Sequence, residues 1–76
     1  MDLRERLGRN VRELREEKGL SQEEFGFAAD SYRTYVSEIE RGLRNPTVIV
    51  LERYAHVLGV TPGTLLDRQP AKRAKR

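Results

Sequence analysis

At 76 residues and without a cysteine, the chain can support one small core and excludes both disulfides and thiolate metal sites. No apolar run approaches the roughly 18 residues that cross a bilayer, and the opening MDLRERLGRN lacks the apolar stretch of a signal peptide, so a cytoplasmic protein is expected. The net charge of +3 is uneven, with ten Lys or Arg against twelve Asp or Glu in residues 1–67 and five bases without an acid in residues 68–76, which excludes a globally basic folded part.

No stretch alternates polar and apolar residues long enough for a strand, and Gly and Pro cut the chain into short helical blocks, which predicts an all-α fold. In the first block Leu3, Leu7, Val11 and Leu14 share one helical stripe, Asp2 stands as N-cap with Glu5 after it, and Gly19 supplies the stop. Ser21 and Glu24 form the S-x-x-E capping pattern, so a second helix starts at Gln22 and turns Phe25 and one of Ala28 or Ala29 inward. It ends near Asp30, a residue type that tolerates left-handed backbone. A third helix runs to about Arg41 and closes at Gly42, pointing Val36, Ile39 and Leu43 one way. RNPT marks a loop, because a proline disfavours helix at Asn45 before it. Thr47 caps a fourth helix from about Val48 to Leu58, Gly59 ends it, and Thr61 with Pro62 opens a short fifth helix. The domain is assigned to residues 1–67, and the basic tail, 68–76, has no apolar anchor and is expected to be disordered.

The second and third helices are separated by only three or four residues. Two helices joined so closely form a helix-turn-helix unit, in which the first crosses the phosphate backbone and the second enters the groove. On the third helix Arg33, Thr34, Ser37, Glu38 and Arg41 form a polar strip opposite the apolar one. A major groove about 12 Å wide admits such a helix, and Arg33 is the best base reader on offer, since a guanidinium fork matches the two acceptors of guanine. On pattern alone a solvated helix face fits the strip equally well. The short turn in front of it moves the reading toward DNA. Glu38 stays open between repelling phosphates and accepting from a cytosine amino group.

Residues 3–66 resemble the lambda-repressor and Cro-like helix-turn-helix family, through GLSQEE, YVSEIERG, RNPT and LGVTPGTLL at that family's spacings. Within it, RTYVSEIERGLRNPT is most similar to the controller proteins of restriction-modification systems. The resemblance implies a compact five-helix domain acting as a dimeric transcriptional regulator on a double-stranded DNA operator, with RNA polymerase as a further candidate partner. By position it gives base-facing roles to Arg33, Thr34, Ser37 and Glu38. It places Gln22 on phosphate and as a brace of the recognition helix, and Tyr35, Arg44 and Asn45 along or beside the DNA backbone. It also implies an internal salt bridge between Arg15 and Glu40. A phosphate at Gln22 agrees with the unpaired amides and dipole of a helix N-terminus. Three positions depart from the family pattern. Ser31 stands where an apolar anchor is usual and Tyr32 where a small cap is usual, so the third helix could start with either as its cap. Gly26 replaces the commoner alanine, at a cost of about 0.5 to 1 kcal/mol in helix propensity.

On the fourth helix Val48, Leu51, Ala55 and Leu58 make one stripe for the core, yet Ile49, Val50, Tyr54 and Val57 are apolar as well. One small core does not cover both sets, so the second set is the expected dimer interface. No enzyme, metal or cofactor is expected: there are no paired carboxylates in an apolar pocket, no glycine-rich phosphate loop and no nucleophile with a base. His56 has no second ligand beside it and is read as a surface residue near Glu52 and Arg53. The tail AKRAKR either adds salt-dependent phosphate contacts or merely solubilises. The expected function is sequence-specific transcriptional regulation, a restriction-modification controller first, with an antitoxin or phage-type repressor as near alternatives. A protein-interaction adapter of the same fold is the rival from another class, and the combination of Arg33, Thr34 and Ser37 with Gln22 and Arg44 argues against it.

Overall fold

The computed structural model describes residues 2–68, which form α1 (Leu3–Glu17), α2 (Gln22–Ala28), α3 (Arg33–Glu40), α4 (Val48–Leu58) and a 3-10 helix (Pro62–Leu66). The all-α expectation holds over these residues, with one adjustment: the fifth element winds as a 3-10 helix, capped by Thr61 and opened by Pro62. Of the basic tail expected to be disordered, 68–76, only Arg68 is described, and its carbonyl accepts from Arg9 Nη2 at 3.0 Å; the rest lies outside the described residues.

Side chains start the helices where the capping patterns place them. The Asp2 carboxylate accepts from the amides of Arg4 and Glu5 while Glu5 accepts from the Asp2 amide, and Ser21 and Glu24 repeat the reciprocal box at α2. Thr47 accepts from the Val50 amide at α4. All four α-helices end alike, with one left-handed residue at Gly19, Asp30, Gly42 and Gly59. The following amide then returns to a carbonyl five residues back, as in Leu20 to Arg15, Ser31 to Gly26, Leu43 to Glu38 and Val60 to Ala55. Only α2 does this without a glycine, and Asp30 takes the left-handed place at φ 57°.

The core gathers Leu7, Val11 and Leu14 of α1, Phe25 and Ala29 from α2 and its end, Val36 and Ile39 of α3, Tyr54, Ala55 and Leu58 of α4, and Leu65. Phe25 and Tyr54 meet edge to face at 4.8 Å between ring centroids, each fully buried. Full burial of one such side chain stabilises by about 1.5 to 3 kcal/mol, so the pair ties α2 to α4. Three apolar residues assigned inward point out: Leu3, Leu43 and Val48 are each more than half exposed. Leu43 lies past the left-handed Gly42, where the chain has left the axis of α3, and Val48 is the first residue of α4, before a full turn is available to face the core.

Gly26 serves the helix-turn-helix corner directly. A Cβ there would stand 2.5 Å from the Ser31 carbonyl oxygen, whose own amide already donates to the Gly26 carbonyl at 2.7 Å. The propensity lost to glycine is thus the condition for bringing the start of α3 this close to α2.

Candidate nucleic-acid interface

Val36 and Ile39 are buried, which turns the opposite side of α3 outward. Arg33 and Thr34 are exposed there, and Ser37 and Glu38 half-exposed. The start of α3 is fixed: Tyr32 is its N-cap in extended backbone, with no side-chain cap bond, and Arg33 is the first helical residue. Ser31 does not cap. Its hydroxyl accepts from the Tyr54 hydroxyl at 3.1 Å, so the residue in the usual apolar anchor position is held by a part-buried polar bond. Burial pushes the Tyr54 hydroxyl pKa up, which keeps the donor protonated.

Behind the strip, Arg15 of α1 donates through Nε to Glu40 Oε2 at 2.6 Å and through Nη2 to Oε1 at 3.0 Å, and through Nη1 to the Leu20 carbonyl at 2.8 Å. Gln22 adds a bond from its amide nitrogen to Glu40 Oε1 at 3.0 Å. One carboxylate therefore joins α1, α2 and α3, and its side chain is 3% exposed. The hydrogen bond to Glu40 raises the Arg15 pKa despite burial, so the guanidinium stays charged. This brace fixes the angle at which α3 presents Arg33, and Gln22 gives it one of its two amide N–H donors.

The loop after α3 adds a second polar cluster. Arg44 Nε donates to Glu38 Oε1 at 2.7 Å, and its guanidinium lies 5.6 Å from the centroid of the Tyr35 ring. The Glu38 bond raises the Arg44 pKa. Tyr35 is half-buried, and Asn45 stands exposed next to Arg44. The structure thus brings together Tyr35, Glu38 and Arg44, which the sequence reading distributes between base and backbone roles without joining them. Tyr35 and Glu38 are three apart on one helix, a spacing that puts them side by side, but the reach of Arg44 across the Gly42 turn has no periodic signal.

The strip, the short turn and the buried brace lie within a segment that matches the family described as Helix-turn-helix over residues 11–65. The chain belongs to the helix-turn-helix family. Members similar to it include the control protein C.BamHI of Bacillus amyloliquefaciens, 45% identical over 62 residues that make up 80% of this chain and 76% of that one. Among solved structures, the restriction-modification controller protein C.AhdI from Aeromonas hydrophila has a TM-score of 0.79 at 39% identity, covering 82% of this chain and 94% of that one. The biofilm regulator SinR in complex with DNA has a TM-score of 0.77 at 40% identity, covering 80% and 98%.

Elsewhere on this helix-turn-helix domain, the α4 patch assigned to dimerisation needs one correction. Tyr54 is fully buried between Phe25 and Ser31 and is no part of any surface, whereas Ile49 is exposed and Val50 and Val57 are half-buried. Four consecutive apolar residues, Val48 to Leu51, with Tyr54 after Glu52 and Arg53, leave the phase of the stripe ambiguous, and the ring of Phe25 decides it. Two supports escaped sequence reasoning. Asn10 lies in the α1 stripe between Leu7 and Val11 and donates to the carbonyls of Leu65 and Asp67, fastening the 3-10 helix. Arg53 Nε donates to the Ala29 carbonyl at 3.1 Å, holding the helix-turn-helix corner from α4. A polar residue within an apolar stripe was the signal for Asn10; Arg53 had none. No group of His, Asp and Glu fit to hold a metal occurs among the described residues, and no described helix is long and apolar enough to cross a membrane.

Proposed function

We propose that this chain is a sequence-specific, non-enzymatic regulator that works in the cytoplasm as a homodimer on a two-fold DNA operator, controlling restriction-modification genes. The observation that carries the reading is the outward strip of Arg33, Thr34 and Ser37 on a helix held from behind by the buried Arg15–Glu40–Gln22 brace. A solvated face needs no such brace. Base contacts specify and phosphate contacts position, and a helix fixed to within a small angle is what base contacts demand.

In this reading Arg33 takes the two acceptors of a guanine, and Thr34 and Ser37 meet neighbouring base edges. Gln22, Tyr35, Arg44 and Asn45 border the phosphates. The exposed Ile49 with Val50 and Val57 forms the two-fold contact that sets the recognition helices about 34 Å apart, one turn of DNA. RNA polymerase is the partner through which a bound dimer would change transcription. The similar proteins, two of them controllers and one solved in complex with DNA, support the same choice.

Selection from random duplex DNA at a stated salt concentration tests this reading. A recovered motif with two-fold symmetry is the expected result. Enrichment of no motif would make the domain a protein-interaction module that keeps the fold without reading DNA.

A further inference from the structure

In the proposed interface Glu38 and Arg44 hold each other. The 2.7 Å bond from Arg44 Nε to Glu38 Oε1 is anchored by backbone as well: Gly42 at φ 76° reverses the chain, and the Leu43 amide donates to the carbonyl of Glu38 itself at 2.9 Å. Arg44 therefore leaves a main chain tied to the very residue its side chain meets. Tyr35, three residues before Glu38, offers its ring to the guanidinium at 5.6 Å. With Nε taken by the carboxylate, the two Nη groups are the donors left for DNA.

Two consequences follow from electrostatics and geometry. A lone arginine beside α3 would attract any phosphate, but paired with Glu38 it presents a neutral couple, and generic attraction falls. The same pairing fixes the plane of the guanidinium, so its Nη donors suit one phosphate position relative to α3 and few others. We propose that Glu38 is a positioning residue acting through Arg44: it withholds Arg44 from phosphates of non-cognate duplexes and aims it when α3 is seated, and so sets the ratio of specific to non-specific binding. Reading of a cytosine amino group by Glu38 is the competing role. The inference rests on the proposed DNA-binding function and adds to it a residue that improves specificity without touching a base.

The test is a double-mutant cycle of Glu38→Gln and Arg44→Ala, with affinity measured on the selected operator and on a random-sequence duplex over a range of salt. Thermal melts of all four proteins show that each is folded, and Arg44→Gln repeats the cycle with a side chain that can still hydrogen-bond. With Arg44 present, Glu38→Gln is expected to tighten random-duplex binding about three- to fivefold, the scale of an exposed ion pair, and to steepen the salt slope by up to about 0.9. The operator-to-random ratio falls accordingly. In the Arg44→Ala background the gain is expected to shrink to near onefold. Equal gains in both backgrounds would overturn the proposal, since simple repulsion of phosphate by Glu38 does not depend on Arg44. A loss confined to one base pair, the same with and without Arg44, would also overturn it and make Glu38 a base reader. If the unmutated protein binds no duplex, the DNA-binding reading falls and this proposal with it, whereas failure of the cycle alone leaves DNA binding intact.

Discussion

Glu40 is the residue on which most of the interface geometry depends, since it accepts from Arg15 twice and from Gln22 once while nearly out of solvent. Removing one partner of a buried, hydrogen-bonded pair strands the other charge, typically at about 3 to 5 kcal/mol, against a total of about 5 to 15 for a whole domain. Glu40→Ala is therefore expected to melt far below the unmutated protein in the absence of DNA; a melting temperature within a degree or two would mean that Arg15 finds another partner at no cost. Gly26→Ala sets two effects against each other. Alanine gains about 0.5 to 1 kcal/mol of helix propensity, but its Cβ would press on the Ser31 carbonyl from 2.5 Å, and overpacking of this kind costs about 1 to 3 kcal/mol. The net expectation is a lower melting temperature, and a rise would show that the corner can open freely. Neither the brace nor the cramped corner is visible as spacing. Arg15 and Glu40 are 25 positions apart, and only resemblance to a family pairs them; Gly26 reads as a weakness until its neighbour Ser31 is in place.

Element boundaries were the most legible part of the sequence, because they are written in local chemistry. Asp2 with Glu5, Ser21 with Glu24, Thr47 and Thr61 all cap where their hydroxyl or carboxylate patterns put them, and Gly19, Gly42 and Gly59 all take the left-handed turn. Facing was less legible. A stripe counted across a helix end carries the helical period past the point where the backbone keeps it, as at Leu43, and the first residue of a helix, as at Val48, follows the period without reaching the core. The caps also predict a pH dependence. The Asp2 carboxyl is held below its ordinary 3.8, first by the Glu5 amide and then by the Arg4 side chain, and the Glu24 carboxyl below 4.5 by the Ser21 amide and hydroxyl. A depressed folded-state pKa means that the unfolded chain binds protons more readily. The contribution is then fully present above the unfolded values and is lost as pH falls through the folded ones. Melting temperature should stay level from pH 7 to about 5 and decline below about 4.5. The double variant Asp2→Asn, Glu24→Gln should decline less steeply over the same range, and a decline as steep as before would remove the caps from the account.

At the scale of the whole molecule, fold and family were readable from the sequence because the short turn, the caps and the RNPT loop occur together in one small chain; the surface that meets a second copy was only partly readable. Tyr54 left the proposed two-fold patch for the core, where Phe25 and Ser31 receive it, and Ile49 with Val50 and Val57 remains. Ile49→Glu places a charge on that patch without touching the core. It is expected to shift sedimentation toward monomer at micromolar protein and to weaken operator binding while the circular-dichroism spectrum stays unchanged. Sedimentation identical to that of the unmutated protein would put the interface elsewhere. The folded part carries more acid than base, so specific binding must come from where arginines stand and not from how many there are. Arg33 is the first residue of α3 and is exposed on its outward strip. The most direct measurement is competition binding of Arg33→Ala against single-base variants of the selected operator. Loss of discrimination at one base pair of each half-site, by about 1 to 3 kcal/mol with the other positions still distinguished, is the predicted result. An equal loss on every variant would move Arg33 to the phosphate backbone and contradict base reading by α3.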